Sequence, residues 1–212
     1  MTHSKICGLT RETDLNAAVA AGADMVGFVC GVPIETPREL TSARAAALTE
    51  QVPSSVTSVL VTMPETPKAG ADLAERVGSD AIQVHGCSAG EIAELRERTD
   101  KAVFAAVDAA GDLGQYAAVA DALVLDSTDE HGAGGTGETH DWQQAGSVVA
   151  DLDTPVLLAG GLTPENVARA VRVVEPFGVD VSSGVEEVGG VKNHEALRQF
   201  VEHATGAQTV NA

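Results

Sequence analysis

Eight short apolar runs recur along the chain of 212 residues, each followed by a polar or glycine-rich loop. Their apolar character is continuous rather than alternating, which is typical of strands covered on both faces. Because a parallel connection needs a crossover of about a dozen residues, this spacing predicts a parallel sheet. The runs occupy residues 4–7, 25–29, 56–61, 81–84, 102–107, 122–125, 156–159 and 179–183.

Helix-like segments, several of them rich in alanine, alternate with the apolar runs. Gly22 predicts the end of the first helix. Thr163 predicts an N-cap, with Pro164 as the first helical residue after it. The segment after the fifth run is short and predicts only a stub of helix. The other helices are expected at 12–21, 41–50, 68–77, 89–98, 141–150, 165–174 and 193–203.

Eight strand–helix units favour a closed (β/α)8 barrel, with an open doubly wound sheet as the alternative. A typical barrel has about 250 residues, so this chain predicts tight loops and no second domain. We expect one α/β domain over residues 1–204. The tail, residues 205–212, has no apolar face and predicts a disordered end.

The charge of the chain excludes several kinds of partner. Thirteen lysines and arginines stand against 31 acidic residues, which gives a net charge of −18 with only four lysines. Such a surface repels nucleic acid and anionic membranes, because both require neutralisation of phosphate. Acidic residues spread along the chain are typical of proteins adapted to high salt, which screens their mutual repulsion.

Cysteine usage and the N-terminus indicate a cytoplasmic protein. The three cysteines, Cys7, Cys30 and Cys87, form no CxxC pair and are odd in number, which argues against a disulfide framework or a zinc site. The sequence has neither a signal-peptide pattern nor an apolar run of the roughly 20 residues that a membrane helix needs. We expect no metal.

Two groups suited to proton transfer end strands on opposite sides of the predicted barrel mouth. Cys7 ends the first run and Asp126 follows the sixth, and barrel enzymes collect their chemistry at these strand ends. A thiolate can accept a proton and a carboxylic acid can donate one, which suits an isomerisation. The alternatives are a core thiol for Cys7 and a loop cap for Asp126, whereas Cys30 and Cys87 are interpreted as inert.

Glycine-rich segments after the last strands predict a phosphate site. Glycines let backbone N–H groups converge on an anion, and barrels often bind phosphate in the seventh and eighth loops. A third such loop, residues 132–137, either closes over substrate or is a linker. The expected phosphate-binding residues are Gly135, Gly160, Gly161, Ser183 and Gly184.

Three further polar residues are candidates for the site. Arg38 could bind a carboxylate through paired donors, or it could be a surface charge near a helix start. His85, directly after the fourth run, could belong to the site or be a structural histidine. Lys5, within the first run, is expected to pair with a carboxylate inside the barrel.

Several motifs in order resemble the phosphoribosylanthranilate isomerases. They are KICGLTRETDLNAAVAAGADMVGFV, QVHG, LDS with GGTGETHDW, LAGGLTPENV and GVDVSSGVEEVGGVKN, and they cover residues 4 to about 203. The resemblance implies a cofactor-free barrel that performs an Amadori rearrangement in tryptophan biosynthesis. The substrate would be N-(5-phosphoribosyl)anthranilate, a small phosphosugar.

The same resemblance implies roles for individual residues. Asp126 would be the general acid that protonates the ribose ring oxygen, and Cys7 the general base that removes the proton from C2. Arg38 would bind the anthranilate carboxylate, while His85 and Asp180 would line the site. The alternatives are an indole-glycerol-phosphate synthase, supported only by Lys5, and a phosphosugar-binding regulator without activity. Monomer and homodimer both remain open.

Overall fold

A closed barrel of eight parallel strands forms the centre of the molecule. In the computed structural model, residues 2–108, 113–126 and 142–207 are described. The strands follow one another in chain order, and β1 pairs with both β2 and β8. This closure confirms the barrel and rules out the open sheet. The strands are β1 (His3–Ile6), β2 (Met25–Val29), β3 (Thr57–Thr62), β4 (Ala81–Val84), β5 (Ala102–Asp108), β6 (Ala122–Asp126), β7 (Val156–Ala159) and β8 (Gly178–Val181).

Helices cover the outside of the barrel between successive strands. The segment after β5 holds a helix of five residues, which confirms the predicted stub. The last helix reaches Gly206, two residues past the domain end expected at 204, and residues 208–212 lie outside the described residues. The helices are α1 (Glu12–Ala21), α2 (Ser42–Thr49), α3 (Pro67–Val77), α4 (Ala89–Arg98), α5 (Leu113–Ala117), α6 (Trp142–Ala150), α7 (Val167–Val174) and α8 (His194–Gly206).

The helix ends test two local predictions. Gly22 caps α1 in the left-handed conformation at φ 86°, as predicted. The predicted start of α7 is wrong, because that helix begins at Val167 rather than at Pro164. The Asn166 side chain accepts a hydrogen bond from the Thr163 N–H and donates one to the Gly161 carbonyl. These bonds hold 163–166 as a separate turn that fixes the loop after β7.

The core has two layers because each strand buries both faces. The outer layer, between sheet and helices, is mostly aliphatic, and Phe28 and Phe200 are its fully buried aromatic residues. The inner layer fills the barrel with a smaller set that includes Met25, Val59 and Leu157. This double coverage is the physical reason for the continuous apolar runs.

A small hairpin that the sequence did not reveal follows β8. A single 3₁₀ turn (Ser183–Val185) leads into β9 (Glu186–Val188) and β10 (Val191–Lys192), which pair antiparallel. The Thr10 hydroxyl donates to the carbonyl of Gly190 at the hairpin turn. Gly190 has φ 78°, and a side chain there would collide with the Pro37 carbonyl. The hairpin therefore lies against the loop after β2.

Asp14 on α1 ties that helix to the hairpin and to α8. Its fully buried carboxylate accepts two hydrogen bonds from Arg11, at 2.9 and 2.7 Å, and one from the Lys192 backbone N–H at 3.2 Å. His194 Nε2 lies 2.8 Å from the same carboxylate.

No helix within the described ranges is long and apolar enough to cross a membrane.

Candidate active site

One cavity of about 470 Å³ opens at the carboxyl ends of the strands. It is lined by Cys7, Arg38, His85, Asp126 and Asp180, together with the loops after β7 and β8 that contain Gly160, Gly161, Ser183 and Gly184. The structure thus brings together all the predicted site residues that it describes. Gly135 lies outside the described residues.

Cys7 follows the last residue of β1 and lies at the floor of the cavity. Its backbone N–H donates to the Val181 carbonyl at 2.8 Å, which fixes it against β8. A side chain at Gly27 would lie 2.9 Å from the Cys7 sulfur, so the glycine on β2 makes room for the thiol. Burial raises the pKa of the Cys7 thiol, and the Lys5 ammonium is the main influence in the opposite direction.

Asp126 is the last residue of β6 and faces the same cavity. Burial raises the pKa of its carboxyl, and the nearby carboxylates Asp180 and Asp108 raise it further. Its Oδ1 atom is buried and has no hydrogen-bond partner in the part of the chain that the structure describes. A carboxyl group in such surroundings is held toward its protonated form, in which it can donate a proton.

A buried ion pair joins β1 to β8 beneath the cavity. Lys5 Nζ donates to Asp180 Oδ2 at 2.7 Å, and the side chains are 0% and 7% exposed. The two residues are direct neighbours in the strand register. This pair confirms that Lys5 meets a carboxylate inside the barrel.

His85 follows β4 and contacts Gln83. The two side chains approach to 2.9 Å between the Gln83 amide nitrogen and His85 Nε2. Burial lowers the pKa of His85, and the positive charge of Lys5 lowers it further. The imidazole is therefore held neutral, a form that can accept or donate a hydrogen bond to a bound molecule.

Arg38 is not a free cation in the cavity wall. It donates two hydrogen bonds to Glu186 on β9, at 2.9 and 2.6 Å. The same carboxylate accepts a bond of 2.9 Å from Lys192 Nζ, and the Lys192 side chain is fully buried. Sequence reasoning missed Glu186 and Lys192, although Glu186 stands four residues after Ser182 in the glycine-rich segment.

The loops after β7 and β8 touch each other at the cavity rim. Gly160 and Gly161 both have positive φ, at 82° and 60°, which L side chains adopt rarely. A Cβ atom at Gly184 would overlap the carbonyl oxygen of Leu162. The Ser182 hydroxyl is buried and has no hydrogen-bond partner among the described residues. The backbones therefore approach as closely as glycine permits.

The closed barrel, with a cavity at the carboxyl ends of its strands, places the chain among the (β/α)8-barrel proteins whose sites form at that end. Within the described ranges, no three histidine, cysteine or acidic side chains cluster as a metal site would require. Comparison with known proteins narrows the class. The family model described as N-(5'phosphoribosyl)anthranilate (PRA) isomerase matches residues 4–203, and the chain belongs to this family.

Individual relatives align with this chain over nearly their whole length. The N-(5'-phosphoribosyl)anthranilate isomerase of Haloferax volcanii is 51% identical over 211 residues, which cover 98% of this chain and 95% of that protein. The crystal structure of the phosphoribosyl anthranilate isomerase of Thermotoga maritima is 34% identical, with a TM-score of 0.86, covering 97% of this chain and 100% of that one.

A third comparison includes a bound molecule. A phosphoribosyl anthranilate isomerase in complex with reduced 1-(o-carboxyphenylamino)-1-deoxyribulose 5-phosphate is 31% identical, with a TM-score of 0.82. The alignment covers 97% of this chain and 100% of that one. These comparisons confirm the resemblance drawn from the motifs, and the chain is an isomerase.

Proposed function

We propose that this chain converts N-(5-phosphoribosyl)anthranilate to 1-(2-carboxyphenylamino)-1-deoxyribulose 5-phosphate in tryptophan biosynthesis, with Asp126 as general acid and Cys7 as general base. The observation that carries the proposal is the placement of a half-buried carboxyl group, whose pKa is raised, and a buried thiol in one cavity of about 470 Å³. Family membership supplies the reaction, and the cavity supplies groups able to perform it.

The reaction needs one proton donated and one removed. Asp126 protonates the ring oxygen of the ribose, and the ring opens to an iminium ion. The Cys7 thiolate then takes the proton from C2, which gives an enolamine, and this tautomerises to the ketone. No electron leaves the substrate overall, so acid–base groups suffice for the conversion.

The surroundings of the two groups support this division of roles. The raised pKa of the Asp126 carboxyl supports its role as an acid near neutral pH. The pKa of the Cys7 thiol is also raised, chiefly by burial, so the thiolate is the minor form in the unliganded protein and a strong base when formed. Each role therefore depends on burial within the barrel.

The remaining residues would bind the substrate. Arg38 retains donors beyond the two that Glu186 accepts, and these would meet the anthranilate carboxylate. His85 and Asp180 would contact the sugar, and Asp180 Oδ1 is a buried acceptor without a partner among the described residues. The loops holding Gly160, Gly161, Ser183 and Gly184 would bind the phosphate, together with Gly135, which is assigned from the sequence alone.

The setting of the activity is also part of the proposal. A reducing cytoplasm is supported by three cysteines in the thiol form. The substrate is the expected small-molecule partner, and the charge of −18 disfavours nucleic acid and anionic membranes. Either a monomer or a homodimer is compatible with the proposal, and one Thermotoga maritima relative is described as dimeric.

The alternative functions have weaker support. An indole-glycerol-phosphate synthase activity depended on Lys5 as a catalytic group, but Lys5 is fully buried and ion-paired to Asp180. A regulator without activity would have no need for Cys7 and Asp126 in a common cavity.

Kinetics of two variants test the proposal. We expect Cys7→Ser and Asp126→Asn each to lower kcat by at least ~10²-fold with little change in KM, because a positioned acid or base contributes about 10²–10⁴-fold. Cys87→Ser is the matched control, since Cys87 does not line the cavity and should leave kcat unchanged. Failure of the wild-type gene to rescue a tryptophan auxotroph lacking this isomerase would refute the assigned reaction.

A further inference from the structure

Lys5 lies in β1, two residues before Cys7, which directly follows that strand. Cys7 packs with the apolar residues that fill the barrel and also lines the cavity, so it continues the inward alternation of Lys5 and lies nearer the mouth. The Lys5 side chain is fully buried, and its Nζ donates to Asp180 Oδ2 at 2.7 Å. The ammonium is also near enough to the Cys7 thiol to affect its ionisation.

Stability alone gives no reason for this lysine. Removing an ammonium from water is unfavourable, and well-packed apolar residues in place of a buried ion pair are often neutral or stabilising. The neighbouring interior is apolar, with Met25, Val59 and Leu157 among its residues. An apolar side chain at position 5 would suit that interior, so the charge points to a role at the site.

The charged groups around Cys7 carry an excess positive charge. Three cations interact with it: Lys5 from β1, Lys192 from β10 and Arg38 from the loop after β2. Two carboxylates accompany them, Asp180 beside Lys5 and Glu186 between the other two cations. The other titratable groups that line the cavity are His85 on the β4 side and Asp126 on β6.

We propose that Lys5 is a positioning residue whose ammonium, oriented by Asp180, stabilises the thiolate form of Cys7. The three cations exceed the two carboxylates by one positive charge, and the negative charge of a Cys7 thiolate would balance it. Lys5 keeps its own proton and transfers none. This inference rests on the proposed function in one respect: the thiolate that Lys5 stabilises is the form of Cys7 that would act as general base.

The direction of the effect follows from the surroundings of Cys7. Burial raises the pKa of the Cys7 thiol, Lys5 is the strongest influence that lowers it, and Asp180 raises it. Removing the ammonium should therefore make the thiolate rarer, whereas removing the Asp180 charge should make it more common. A lysine whose charge does not act on Cys7 would give no such pair of opposite shifts.

Alkylation of Cys7 by iodoacetamide measures the thiolate without any substrate. The rate is followed across pH by mass spectrometry of the Cys7 peptide, which separates it from Cys30 and Cys87. We expect Lys5→Met to lower the rate at pH 7 by at least about tenfold and to move its midpoint to higher pH, because nearby charges interact strongly at a buried site. Lys68→Met removes an exposed lysine on α3 and should leave the profile unchanged.

A second variant keeps the test decisive if Lys5→Met does not fold. Asp180→Asn should move the alkylation midpoint to lower pH, opposite to Lys5→Met. A midpoint that is unchanged in the folded variants, or shifts the same way in both, would overturn the inference. Because alkylation needs no turnover, an inactive wild-type protein with these opposite shifts would refute the proposed function and leave the role of Lys5 standing.

Discussion

Replacing Gly184 with alanine should separate the two loops that we propose to hold the phosphate. The added Cβ would lie well inside the 3.0 Å that real Cβ atoms keep from the Leu162 carbonyl oxygen. That oxygen belongs to the backbone, so no side-chain rotation relieves the overlap. The loops after β7 and β8 must therefore part by about 1 Å, and a misplacement of that size can cost about 10²-fold in rate.

We expect kcat/KM of Gly184→Ala to fall by about 10²-fold, mostly through KM, because Cys7 and Asp126 lie outside the two loops that move. Initial-rate kinetics measure this change. Inorganic phosphate should inhibit the wild-type protein competitively and the variant less, since it would occupy the same loops.

Gly90→Ala is the matched control for this substitution. Gly90 lies in α4, and a Cβ there meets nothing within 4 Å. Alanine should stabilise that helix by about 0.5–1 kcal/mol and leave KM unchanged. If Gly184→Ala folds by circular dichroism and keeps both the wild-type KM and the wild-type inhibition by phosphate, the loops do not bind the phosphate.

Three further predictions concern other parts of the molecule. Arg38→Met should raise KM by about 10–10²-fold and change kcat less, because charged hydrogen bonds contribute about 1.5–3 kcal/mol. An unchanged KM would show that Arg38 does not bind the anthranilate carboxylate. Asp14→Asn should cost about 1.5–3 kcal/mol at pH 7, measured by urea unfolding, because it replaces charged hydrogen bonds of a buried carboxylate with neutral ones. Burial would raise the pKa of Asp14, but its hydrogen bonds with Arg11 and His194 lower it overall, so its stabilisation is present above the unfolded pKa of about 3.9 and lost as pH falls. The difference from the variant should therefore shrink below pH ~4, and a constant difference would contradict the assignment. The melting temperature should rise as KCl reaches the molar range, because the salt then shortens the Debye length to about 3 Å and screens the repulsion that the net charge of −18 causes. Relatives of this chain come from halophilic archaea. A melting temperature that stays constant or falls with KCl would contradict this reasoning.

The barrel could be predicted because a strand that is buried on both faces has a continuous apolar sequence. β2, β4 and β7 have the predicted bounds, since both faces are covered and every position in them is apolar or small enough to bury, apart from Gln83 in β4. Cys7 and Asp126 could be found for the same reason. A polar residue that ends an apolar run must lie at the strand end, where barrel sites form.

The partners of the site residues could not be predicted in the same way. Arg38 and Glu186 are 148 residues apart in sequence, and their pairing depends on a hairpin with strands of only three and two residues. Such short strands have too few positions for a period to be recognised. The start of α7 was misplaced because the Asn166 side chain competes for the backbone groups of the preceding turn.

The pairing of β1 with β8 has a consequence for folding during synthesis of the chain. Lys5 and Asp180 are separated by 175 residues, so the first strand leaves the ribosome long before its carboxylate partner exists. A barrel that closed early, with the lysine inside and no aspartate beside it, would carry an uncompensated charge, and such a charge is strongly destabilising. A lysine without its aspartate therefore disfavours closure before β8 is made, and the ion pair beneath the cavity forms in the same event that joins the two ends of the sheet.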